Sequence, residues 1–226
     1  MSAFARLRAV LRRVVTDSRG VTMAETMVTV LILAILGTAL VSTVVVEAKA
    51  MVREQTKGTS LDIARVGMNR MGKAVRAGTQ LIKSDGTTDA AFASIAPESV
   101  TMYVSFGPTP TKMSFSVNGN RELVEQVWTS TGTGTTADQP PYTFVGSPRT
   151  TVIASKIPTG LATPLFKYLD ADGVALASQT SSTSTVTSLV RQVDVTLVVN
   201  SDPSKGAPSV TLNQAIVLPN LGVLKR

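Results

Sequence analysis

The chain has 226 residues, enough for one membrane segment and one modest globular domain, and it contains neither cysteine nor histidine. Those absences remove disulfides, thiol nucleophiles, Ser-His-Asp and Cys-His catalysis, and the zinc sites that need either residue. The formal net charge of +7 gathers at the start, where residues 1–20 hold Arg6, Arg8, Arg12, Arg13 and Arg19 against Asp17.

In that first stretch Phe4, Leu7, Leu11 and Val14 recur at helical spacing between the arginines. The pattern suits either a helix lying on an anionic leaflet or a plain basic tail. Its charge fits retention on the cytoplasmic side of a membrane. A nucleic-acid patch has little support, because residues 79–226 contain no dense Lys/Arg run.

Residues 21–78 carry no proline, so nothing forbids a long helix there. Residues 26–46 are uncharged and at ~1.5 Å per residue span roughly 31 Å, close to the thickness of a bilayer's hydrocarbon core. Directly before them Thr22-Met-Ala-Glu25 reads as a capping box, with Thr22 as cap and Glu25 reaching back to the cap's amide. Past Glu47 the pattern turns amphipathic. Leu61, Ala64, Met68, Met71 and Val75 form a stripe that predicts burial of one face, and Gly58 is the expected break or bend.

Residues 79–226 hold nine of the ten aromatic residues and many Thr, Ser and Val. Strands are predicted at 99–106, 112–117 and 121–128, the last two joined by a type I′ turn at Asn118-Gly119. A hairpin is predicted over 165–176, turning at Asp172-Gly173, and a strand pair over 190–200 and 210–218. Residues 129–141 read as a surface loop. The predicted fold class is α+β: a long helix, membrane-spanning in its first half, whose second half packs on an antiparallel sheet. The expected divisions are 1–20, 21–78 and 79–226.

A basic leader ending in Gly20, then Val21, Thr22 and Glu25, then an unbroken apolar helix, resembles the class III signal of type IV pilins and type II secretion pseudopilins. The family usually has Phe where Val21 stands and larger aliphatics at Met23 and Ala24. The runs 60–78, 164–176, 190–200 and 210–222 are similar to W-type minor pilins and J-type minor pseudopilins. The resemblance implies a single-pass protein of the cytoplasmic membrane with residues 1–20 cytoplasmic. A prepilin peptidase would cut after Gly20 and the new amine of Val21 would be methylated. Glu25 would then face the N-terminus of a neighbouring subunit in an extracellular or cell-envelope filament. Its implied partners are other pilin or pseudopilin subunits, the peptidase, the pilus assembly platform and the membrane. It implies no cofactor and no catalysis.

Two other readings compete. Ala48-Lys-Ala50 fits a signal-peptidase site that would release a chain starting at Met51, although the apolar run of 21 residues exceeds the ~7–15 of a signal core. A membrane-anchored enzyme has only weak candidates. Asp170-Ala-Asp172-Gly173 is a fragment of a calcium loop, and Glu122 and Glu125 lie three apart and so point to opposite faces of a strand. Ser155-Lys156 and Ser204-Lys205 have nothing to activate them. Trp128 and Tyr168 read as packing residues.

Overall fold

The computed structural model describes residues 22–82, 87–132, 141–179, 185–200, 202, 204 and 208–219. It divides into two compact units, the first ending at Met51 and the second starting at Val52. One helix, α1 (Met23–Arg76), passes through the boundary without interruption. The expected break at Gly58 is absent. An isolated glycine costs only about 1 kcal/mol in a helix interior, and the helix continues on both sides.

In the first unit every described residue of α1 is exposed. In the second unit one face of α1 is buried through Thr56, Ser60, Ala64, Gly67, Met68, Met71, Gly72, Ala74 and Val75. This is the predicted stripe, except that Leu61 is half-buried and small residues carry much of the contact. The helix ends where Gly78 pairs with Val104 and the Thr79 amide donates to the Tyr103 carbonyl (2.9 Å), handing the chain to a sheet.

Strands β1 (Leu81–Ile82) and β2 (Thr88–Asp89) form a short ribbon, followed by β3 (Phe92–Ala96), β4 (Ser99–Val104), β5 (Thr111–Val117) and β6 (Leu123–Thr129). A second ribbon joins β7 (Thr131–Gly132) to β8 (Tyr142–Thr143), and β9 (Arg149–Ala154) and β10 (Phe166–Leu169) follow. Helix α2 (Thr185–Leu189) precedes β11 (Gln192–Val199) and β12 (Val210–Val217). The two principal sheets are antiparallel, with orders β3-β4-β5-β6-β9 and β10-β11-β12. The protein is thus α+β, its apolar N-terminal helix packed by its outer half on antiparallel sheet. Inward residues alternate as the pleat requires: Val100, Met102 and Val104 on β4, Val193, Val195, Leu197 and Val199 on β11. Phe92, Phe115 and Phe166 are the largest of the fully buried side chains among the described residues.

Three local expectations change. The Asn118-Gly119 turn is not type I′. Arg121 donates its amide to the Asn118 carbonyl (3.0 Å) and takes the positive φ of 57° itself, giving a three-residue connection. The left-handed region costs a non-glycine residue about 1–2 kcal/mol, and here the side chain offsets it. The Arg121 guanidinium donates to Glu98 (3.0 Å) and to the carbonyls of Ile157 (3.3 Å) and Pro158 (2.7 Å). The 165–176 hairpin turns as expected, with Gly173 at φ 79°, but its return arm reaches only one bridge, Leu169 to Ala175. The partner that completes β10 is β11. Within the expected loop 129–141, Thr129 is the last residue of β6 and Thr131–Gly132 form β7, while 133–140 lie outside the described residues.

Candidate assembly site on the apolar helix

Among the predicted site residues, Gly20 and Val21 lie outside the described residues; Thr22 and Glu25 stand at the start of α1. Thr22 caps the helix. Its Oγ1 accepts the Glu25 amide at 3.3 Å, and its carbonyl accepts the amides of Glu25 (2.9 Å) and Thr26 (3.1 Å). Only this half of the capping box forms. The Glu25 carboxylate is exposed and has no hydrogen-bond or ion-pair partner among the described residues. It sits in the first turn, where the helix dipole favours a negative charge.

The helix that follows is long and apolar enough to cross a membrane, and none of its apolar window is buried within the chain. Its five hydroxyl groups at 26–46 are all satisfied internally. Thr26 donates to the Met23 carbonyl (2.8 Å), Thr29 to Glu25 (2.7 Å), Thr38 to Ile35 (2.8 Å), and Ser42 (2.7 Å) and Thr43 (3.0 Å) to Ala39. In hydrocarbon an unpaired donor costs several kcal/mol, and here none of these hydroxyls is left unpaired. Glu25 is therefore the one polar side chain of residues 23–46 without a partner among the described residues. A single carboxylate on an otherwise lipid-compatible surface favours pairing with a cation.

No family model matches this chain, and no curated protein matches it either.

In the second unit the weak catalytic candidates disperse. Asp170 Oδ1 accepts the amides of Asp172 (2.9 Å) and Val174 (2.8 Å), which makes it a turn-former rather than a metal ligand. Among the described residues no cluster of three or more acidic side chains could hold a metal ion. Glu122 does not enter β6; it closes the turn, accepting from the Asn118 side-chain amide at 2.9 Å. Glu125 points the other way, 1% exposed, and accepts the Arg70 Nε at 2.9 and 3.1 Å. Ser204 Oγ donates to Asp202 in a short contact. Tyr168 is core: its phenol lies within hydrogen-bond reach of the carbonyls of Ala96 (3.1 Å) and Ser99 (3.0 Å), and burial pushes its ionisation well above the ordinary range. Trp128 is half-buried on β6 beneath the Lys112 ammonium, 5.3 Å from the ring centroid.

The Arg70–Glu125 pair and the hydroxyl back-bonding escaped the sequence reading. The first joins residues 55 positions apart, which no local pattern signals. The second was within reach, since Thr and Ser inside a helix commonly bond the carbonyl one turn back.

Proposed function

We propose that this chain is a prepilin-like, non-catalytic structural subunit, a minor component of a pilus or pseudopilus. In this reading residues 1–20 stay cytoplasmic, a prepilin peptidase cuts after Gly20, and the span 26–46 holds the subunit in the cytoplasmic membrane until it is polymerised through that helix. The observation that carries the reading is the exposed Glu25 carboxylate, without a partner among the described residues, at the head of an apolar helix that those residues leave uncovered. A charge at mid-membrane costs about 2.5–3.5 kcal/mol, less toward the interface, and a neighbour's Val21 amine would offset that cost and fix axial register. The helix also runs without interruption through Ala48-Lys49-Ala50, where the competing signal-peptidase site would lie.

The test is N-terminal sequencing of chain isolated from membranes and from sheared filaments, with Glu25→Ala alongside. The expected start is Val21, methylated, and the variant is inserted and cut yet missing from filaments. A mature start at Met51, or normal incorporation of Glu25→Ala, rejects the reading.

A further inference from the structure

A cavity of about 380 Å³ lies between α1 and the β5-β6-β9 side of the five-stranded sheet. Its floor is apolar, from Met113 and Val127, and Phe106, 61% exposed, forms one wall. Arg70, Lys73 and Arg149 surround it, and none of the described residues that line it is acidic. Arg70 is committed to Glu125, while Lys73 and Arg149 have no acidic partner among the described residues. Two cations without an acidic partner among the described residues, separated by an apolar floor, suit a carboxylate carried beside a small aliphatic side chain. A bare anion would leave the floor uncovered.

The chain carries that complement. The Asp170–Val174 turn is exposed from Ala171 onward, Val174 is 59% exposed, and the Asp172 carboxylate has no partner among the described residues. No basic residue lies between Tyr168 and Gln179 to neutralise it. The turn's base is tied to β3 and the residue after it: Gln179 bridges Ile95, and the Phe166 amide donates to the Pro97 carbonyl (3.0 Å). Arg149 stands on β9, at the opposite margin of the same sheet. Four strand spacings, about 19 Å, separate the two margins.

We infer that the Asp170–Val174 turn of one copy seats in the Arg70–Lys73–Arg149 cavity of a second copy. The contact is heterologous: each copy offers a turn at one margin and a cavity at the other, so copies link head to tail, in a ring or an open array according to the rotation at each contact. It concerns the folded second unit and does not rest on the prepilin reading, so the unprocessed chain should show it as well.

The absence of native cysteine makes the test clean. Full chains carrying Thr129→Cys, at the cavity rim, and Ala171→Cys, in the turn, are oxidised in detergent micelles separately and mixed. The mixture should form disulfide-linked dimer about tenfold faster than either variant alone, a difference of about 1.4 kcal/mol. Arg149→Glu in the first copy should abolish that excess, and Asp172→Arg in the second should restore it. Equal rates in all three samples overturn the inference. So does a mixed excess that ignores the Arg149 reversal, or one that the swapped charge fails to rescue.

Discussion

Removing the Arg70 guanidinium while keeping its aliphatic bulk, as Arg70→Met, isolates one buried charge. Glu125 is 1% exposed and sits on the central part of β6, so its carboxylate cannot rotate to water. Breaking a fully buried pair by deleting one partner costs about 3–5 kcal/mol. Arg70 is itself 47% exposed, so water reaches one side of the pair, and the expected loss is reduced to about 2–3 kcal/mol. The second substitution decides the cause. Glu125→Gln removes the stranded charge, so Arg70→Met/Glu125→Gln should be more stable than Arg70→Met alone by about 1 kcal/mol or more. Urea unfolding in micelles, followed through the single Trp128 on the same strand, measures all four corners of the cycle. If the double variant is no more stable than Arg70→Met, the buried charge is not what the pair neutralises and the reasoning fails.

Other outcomes follow from close contacts and from the backbone. A Cβ at Gly67 would stand 3.1 Å from Ala154 Cβ and from a Leu197 methyl, and Ala154 cannot yield without moving β9; Gly67→Val should therefore lose about 1–3 kcal/mol. Gly58 meets nothing within 4 Å, so Gly58→Ala should gain up to about 1 kcal/mol; thermal melts in which both variants shift the same way contradict the packing account. At Arg121, Arg121→Ala keeps the positive φ and loses the ties to Glu98, Ile157 and Pro158, whereas Arg121→Gly loses the ties but relieves the strain. The glycine variant should be the more stable of the two by about 1 kcal/mol, and the reverse order in urea titrations counts against strain at that position. The Tyr168 phenol is raised by burial, so its neutral form is favoured by folding; the contribution is fully present below about pH 10 and is lost as the pH rises beyond it. Wild type should lose stability relative to Tyr168→Phe above about pH 10, and a constant difference between their melting curves from pH 8 to 11 speaks against it.

Elements set by a local period were legible. Twenty-one uncharged residues in a row could only be a fully apolar helix, and the spacing of Ala64, Met68, Met71 and Val75 marked the face that the core takes up. The last strand pair was equally plain, because 190–200 and 210–218 are β-rich runs with a connection between them. The Asn118-Gly119 turn failed for a physical reason. Local propensity put positive φ on the glycine, but three long-range hydrogen bonds to the Arg121 side chain moved it three residues from Asn118. β9 escaped as well, since its outward residues are exposed and its pattern declares no buried face.

The candidate site divides along the same line. A lone carboxylate beside Thr22, ahead of an apolar span, is a statement about chain order, and the sequence by itself determined it. Whether that carboxylate is satisfied internally depends on geometry, and the tertiary structure decided that Thr22 caps the helix without Glu25 reaching back. Folding also decided which cations of the second unit find an acid among the described residues. Arg70 is drawn to Glu125 across the helix–sheet contact, leaving Lys73 and Arg149 around an apolar floor. Composition counts charges, but only packing pairs them, because Coulomb attraction between side chains depends on separations that the order of residues does not state.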